Sequence, residues 1–179
     1  PAQSGLPSTI PSLPQSAASV EDNRLNVAAV TFEVPADWVA ETPASSLRLA
    51  QYRLPGADGD AELTVFVFGP GQGGDAQSNI DRWAASMSNP GDPHTPATPH
   101  TESREAGGLT VTTTSINGTY TPSPMMGGGP PIADAMLYGV IVEGGPLGTV
   151  FVKIVGPAST MTAQQANLQS FVDSIALSN

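Results

Sequence analysis

AMLYGVIVEGGPLGTVFVKIV, residues 135–155, decides the fold. It holds two apolar runs rich in Val and Ile, Ala135–Glu143 and Thr149–Val155, separated only by GGPLG. β-Branched enrichment on either side of a short Gly-rich connection predicts an antiparallel hairpin. A parallel pair would need a crossover of about a dozen residues or more, and GGPLG has no room for one. Outward from the hairpin, Glu62–Gly69, ELTVFVFG, is the strongest strand, apolar enough to lie centrally in a sheet. Leu109–Tyr120 is rich in Thr, Val and Ile and reads as another strand. Val27–Val34 is a strand stopped at Pro35, and Leu47–Leu54 alternates as a half-buried strand does. Two stretches have helical spacing. In Asp75–Ser88, Asp75 is placed to cap and Ile80, Trp83, Ala84 and Met87 form one stripe. In Thr162–Leu177, Ala163, Ala166, Leu168, Phe171, Val172 and Ile175 share a broad face. Strands outnumber helices and hairpins dominate, so the fold class is α+β: an antiparallel β-sheet flanked by helices.

Composition narrows the partners. The chain has 179 residues, the size of one domain, and can bury about 70% of its unfolded surface. Six Lys and Arg against sixteen Asp and Glu give a net charge of −10. An acidic chain with one lysine is a poor match for nucleic acid, whose backbone requires a positive field. An anionic membrane surface is disfavoured for the same reason. Cysteine is absent, which excludes disulfides, thiolate catalysis and cysteine zinc sites. No apolar run approaches the ~18–20 residues of a spanning helix. The first twenty residues have neither the basic nor the apolar region of a signal peptide, and the reading expects a mature form whose targeting peptide has been removed.

Two segments stand apart from the body. Residues 1–24 form a Pro-rich strap or linker ahead of a domain at 25–179. Pro7, Pro11 and Pro14 withhold backbone donors, and a polyproline path places Pro7, Ile10 and Leu13 on one face. Such a strap is either a solvated linker or a segment that lies in a groove on another protein. Asn89–Thr101, with four prolines, and Thr121–Pro131, TPSPMMGGGPP, read as loops. Met125 and Met126, adjacent and flexible at the tip of the second loop, either fold back on the domain or meet a partner together with Pro130.

No residue pattern assembles a catalytic site. Gly69, Gly71 and Gly74 of GPGQGG fit a dinucleotide fingerprint between strand and helix. Hairpins follow instead of repeated βαβ units, and Asp75 stands where phosphate charge would sit, so a strand-to-helix turn is the better reading. His94 and His100 lack helical metal-ligand spacing, and no nucleophile elbow accompanies them. Asp58, Asp60 and Glu62 read as a solvated turn rather than a calcium loop. Lys153, inside an apolar strand, is either a desolvated nucleophile or, more ordinarily, the partner of an acid such as Glu143 across the hairpin. The expected sites are therefore neither catalytic, cofactor-binding nor metal-binding, and no cofactor is expected.

VTFEVPADW, where a strand ends at Pro35 and Trp38 follows a short turn, FVKIVGP, and the closing helix with QSFVDSIAL carry a resemblance. On these residues the chain resembles the PsbP-like fold group, which includes the extrinsic photosystem II subunit PsbP, the Ran-binding Mog proteins and exported lipoproteins of the LpqN and DcrB kind. The likeness runs over residues 25–177. It implies an antiparallel sheet sandwiched between helices (α/β/α), members that mostly bind or brace other proteins, and no shared catalytic residues. Trp38 would be a structural anchor.

These readings converge on a non-catalytic accessory (extrinsic) subunit, periplasmic or extracellular and peripheral to the membrane. It would dock on protein subunits of a larger membrane assembly, a photosynthetic one among the candidates, through Pro7, Ile10, Leu13, Met125, Met126 and Pro130. The alternative is an exported lipoprotein that holds a small hydrophobic ligand or lipid between sheet and helix.

Overall fold

The predicted hairpin sits at the centre of a nine-stranded sheet. The computed structural model describes residues 18–126 and 128–178. The large sheet contains β4 (Val39–Glu41), β5 (Ala50–Leu54), β6 (Ala61–Phe68), β7 (Met87–Asn89), β8 (Asp92–Pro96), β9 (His100–Ala106), β10 (Leu109–Tyr120), β11 (Ile132–Glu143) and β12 (Thr149–Pro157). Its order is β4-β5-β6-β12-β11-β10-β7-β8, with β9 also paired to β10, and every pair is antiparallel. In the hairpin Val142 faces Val150 and Ala135 faces Pro157. Gly144 and Gly148 take φ of +89° and +121° in the turn, a backbone that favours glycine.

A second, four-stranded antiparallel sheet is built from β1 (Ala18–Glu21), β2 (Arg24–Val27), β3 (Val30–Glu33) and β13 (Ala176–Leu177). Among the described residues there are three α-helices: α1 (Ala76–Ala85), α2 (Ala158–Ala163) and α3 (Gln165–Asp173).

Strand alternation divides the large sheet into two faces. Leu63, Val65, Val140, Val142, Val150, Val152 and Ile154 point to one face, where they join Leu168, Phe171 and Val172 of α3 and Leu25 and Phe32 of the small sheet in the main core. Phe32 and Phe171 are fully buried and stacked with ring centroids 5.0 Å apart. Each such side chain contributes roughly 1.5–3 kcal/mol by leaving water. The opposite face bears Phe66, Phe68, Ile141 and Phe151, packed under Ile80 and Trp83 of α1. Helices on both faces make the sandwich that the resemblance implies, with the small sheet added beside α3.

The anchor role implied for Trp38 is met. Trp38 is buried, its ring centroid is 5.3 Å from that of Phe171, and its Nε1–H donates to Gln164 Oε1 at 2.9 Å. Asp75 caps α1, its Oδ1 accepting from the Ser78 amide at 2.7 Å.

Several expected boundaries differ. The first helix ends at Ala85 rather than Ser88, because Met87–Asn89 leaves to pair with β10. Asn89–Thr101 is not all loop: it carries β8 and the start of β9, whose exposed polar residues lack the burial pattern of a strand. Val27–Val34 is two strands, turned at Ala28 and Ala29. The closing helix is broken at Gln164, whose amide turns inward to Trp38 and to the Pro55 carbonyl. Its last residues form β13. β4 gave no sequence signal, being a short exposed edge.

Candidate functional site

α1 covers only part of its face of the sheet. The remainder is an open cleft of about 310 Å³, floored by Thr64, Phe66, Lys153 and Val155. The loop that follows β10 supplies one wall through Pro122, Gly128, Gly129 and Pro130, and Ile132 opens β11 beside it. Thr121 is tied down by its amide, which donates to the Ser86 carbonyl at 2.9 Å. Arg48, Asp60 and Glu62 form the other wall.

The charges of that second wall are satisfied among themselves. Arg48 Nη1 donates to Gln51 Oε1 at 2.8 Å and to Glu62 Oε1 at 3.2 Å. Arg53 Nη1 reaches Asp60 Oδ2 at 2.9 Å, while Asp60 Oδ1 accepts from the Gly56 amide. The Arg53 hydrogen bond and that amide hold the Asp60 carboxyl below its ordinary range.

Lys153 is the chemically distinctive group. Its stem rises from the middle of β12, with Gly139 opposite on β11 and Thr64 opposite on β6. The expected pairing with Glu143 does not form. Glu143 lies at the far end of the hairpin, level with Thr110 of β10, whereas Lys153 Nζ donates to Tyr120 Oη at 3.0 Å. The ammonium also lies 4.9 Å from the Tyr120 ring centroid. A register shift between Gly118 and Tyr120 accompanies that reach, as irregular pairing often re-aims a side chain.

A second cleft, about 260 Å³, lies on the opposite face between β9–β11 and the helices α2 and α3. His100, Glu102, Tyr138, Met161 and Leu168 are among its lining. Burial pushes the Tyr138 phenol above its ordinary pKa, against a hydrogen bond from Thr113 that pulls the other way.

The expected docking residues are not all brought together. Pro7, Ile10 and Leu13 lie outside the described residues. Met125 is 95% exposed in a 3₁₀ turn, Pro124–Met126, and Pro130 stands exposed on the wall of the Lys153 cleft. Met126 lies in the same turn. The loop thus folds back with its prolines while Met125 points away.

The remaining candidates resolve into ordinary structure. In GPGQGG the Gln72 amide closes a turn on Gly69 O, and the Phe68 ring packs against Gly73. The helix start is occupied by Asp75, and Asn79 Nδ2 donates to the Gly73 and Asp75 carbonyls. His94 and His100 are exposed on β8 and β9. Among the described residues no three His, Asp or Glu side chains gather to hold a metal ion.

Comparison with known proteins places the fold. The chain is similar to the solution structure of cyanobacterial PsbP (CyanoP) from Synechocystis sp. PCC 6803, with TM-score 0.53 and 11% identity over 84% of this chain and 87% of that one. It is similar to the crystal structure of LpqN, involved in cell envelope biogenesis of Mycobacterium tuberculosis, with TM-score 0.50 and 9% identity over 84% of this chain and 83% of that one. The fold is therefore PsbP-like. No protein-family model matches the sequence, and no curated protein matches it.

Proposed function

We propose that the chain is a non-catalytic accessory subunit, outside the cytoplasmic membrane and peripheral to it, that docks on a larger membrane-associated protein assembly. A photosynthetic assembly is one setting for it. The observation that carries the reading is the 3₁₀ turn of the 121–131 loop. That loop is fastened at Thr121 and walled by prolines, yet it holds the large apolar side chain of Met125 almost wholly in water. An adaptable side chain presented on a fastened loop suits a contact surface. The strap residues Pro7, Ile10 and Leu13 extend the docking surface in this reading, with Met126 and Pro130 beside Met125. The fold shared with a cyanobacterial PsbP and with a protein involved in cell envelope biogenesis supports an extrinsic or exported role. Among the described residues no helix is long and apolar enough to cross a membrane.

Because the chain has no cysteine, a single thiol placed at Met125 can carry a photo-crosslinker. Met125→Cys, labelled and illuminated with membranes of the source cell, is expected to yield one discrete adduct with a membrane-complex subunit. Ser170→Cys, exposed on α3 across the sheet, should not give that adduct. Equal labelling from both positions, or none from Met125→Cys, refutes docking through the loop.

A second reading, an exported lipoprotein holding a small hydrophobic ligand between sheet and helix, draws on the 260 Å³ cleft beneath α2 and α3. Extraction of the purified protein with organic solvent tests it: a stoichiometric apolar molecule supports the carrier role, and an empty extract removes it.

A further inference from the structure

We propose that the cleft beside α1 binds an organic monocarboxylate with a short apolar body, its carboxylate received by the Lys153 ammonium. The proposal does not depend on the docking reading. It begins from how this chain distributes its few cations. Arg24, Arg48, Arg53 and Arg104 each have a carboxylate within 4 Å: Glu33 at 3.4 Å, Glu62 at 3.2 Å, Asp60 at 2.9 Å and Asp173 at 3.6 Å. Two cations have none among the described residues: Arg82, which stands exposed on α1, and Lys153, the only lysine in a sequence with sixteen acids. Lys153, unlike Arg82, is half-buried in a concave surface, and among the described residues its ammonium makes one hydrogen bond, to Tyr120 Oη.

An ammonium has three donors and no acceptor. Taking it partly out of water without an anion is costly, and the missing partner is what a ligand supplies. The acids that line the cleft do not meet this need, because Glu62 is held by Arg48 and Asp60 by Arg53. Within the cleft Lys153 is the one uncompensated cation among the described residues, and it matches one negative charge. The chain's net charge of −10 opposes multiply charged anions such as phosphate esters. Part of the neighbouring surface is apolar: Phe66 and Val155 on the floor, with Ile132, Pro122 and Pro130 at the side, suit a short hydrocarbon body. A volume of about 310 Å³ is at the small end of ligand pockets and admits a small acid rather than a lipid with long chains.

The test uses hexanoate as probe, with hexanol as its uncharged counterpart, added to the full chain at fixed ionic strength. Because Lys153 is the sole lysine, reductive methylation with ¹³C-formaldehyde, which keeps the positive charge, places a distinctive dimethyl reporter on it. Hexanoate is expected to shift that resonance saturably, with amide shifts confined to β12, Phe66, Tyr120 and 128–132. Hexanol should bind at least about tenfold more weakly, as should hexanoate to Lys153→Met. Equal response to hexanoate and hexanol, or hexanoate shifts centred on the opposite face, overturns the proposal. Should Lys153→Met not fold, the wild-type comparison of the two probes decides alone.

Discussion

Replacing Gly139 with alanine tests how α1 is seated on the sheet. Gly139 lies inside β11, and the Trp83 indole lies directly on its backbone. A Cβ placed there would fall within contact distance of Trp83 Cζ3 and 2.6 Å from Cε3. Two effects of opposite sign compete. Glycine in a strand interior is about 0.5–1 kcal/mol worse than alanine through backbone entropy. Overpacking against a seated ring costs about 1–3 kcal/mol, since the indole must leave its place over Ile141 and Phe151. The second is larger, so G139A should destabilise the wild type by roughly 1–2 kcal/mol. Removing the ring reverses the sign. In a W83A background G139A should stabilise by roughly 0.5–1 kcal/mol, leaving a coupling of about 1.5–3 kcal/mol in the double-mutant cycle. Trp83 is only half-buried, so W83A costs less than the ~3–5 kcal/mol of a fully buried tryptophan and leaves a folded background. Urea unfolding followed by far-ultraviolet circular dichroism measures all four proteins without relying on tryptophan emission. Equal effects of G139A in both backgrounds, within ~0.5 kcal/mol, would refute the seating of α1 through this contact.

Other residues carry predictions of their own. Among the described residues the buried Tyr52 hydroxyl has no hydrogen-bond partner, so Tyr52→Phe should be neutral or raise stability by up to ~1 kcal/mol in urea unfolding; a loss of more than that would mean a partner exists. Burial raises the Tyr52 and Tyr138 phenols above their ordinary pKa of 10.0. The unfolded chain then loses these protons first, so stability is whole below pH 10.0 and falls as pH climbs through the folded values, and Y52F should flatten that decline. Trp38→Phe removes the bond to Gln164 Oε1, but Asn167 Nδ2 still donates to that oxygen at 2.8 Å, so the loss should be about 1–2 kcal/mol by chemical denaturation. Ala29 adopts φ +64° in the turn between β2 and β3, and its carbonyl accepts from the Ser178 amide. Ala29→Gly keeps that bond, relieves the left-handed backbone and should raise stability by about 0.5–1 kcal/mol, seen as a higher thermal midpoint; a lower midpoint contradicts the assigned turn.

What the sequence made legible is what burial writes into it. The 135–155 hairpin and β6 are read correctly because both of their faces are covered, which forces continuous apolar runs. Asp75 announces the start of α1 because a short acceptor there satisfies a free amide. The seven residues of β9, HTESREA, carry no such pattern: nearly all are exposed, and their register is set by the backbone of β10. β1 and β13 are exposed edges of the small sheet for the same reason. The inward turn of Gln164 was equally silent, since a buried glutamine is recognised only once Trp38 and Pro55 stand beside it. The Lys153 cleft needed three distant segments, β6, the loop after β10, and β12. The sequence marked Lys153 and Pro130 separately but had no means of joining them.

The central claim is that this domain docks on a larger membrane-associated assembly. Mild-detergent solubilisation of native membranes, followed by size-exclusion chromatography with mass spectrometry, tests it most directly. Comparing the full chain with a form lacking residues 1–17 leaves β1 and the rest of the described fold in place. The account predicts that the full chain elutes with a large complex and that the shortened form, or one carrying Met125→Ser, is displaced from it. Elution of the intact chain by itself near 18.3 kDa, unchanged by either alteration, would contradict it.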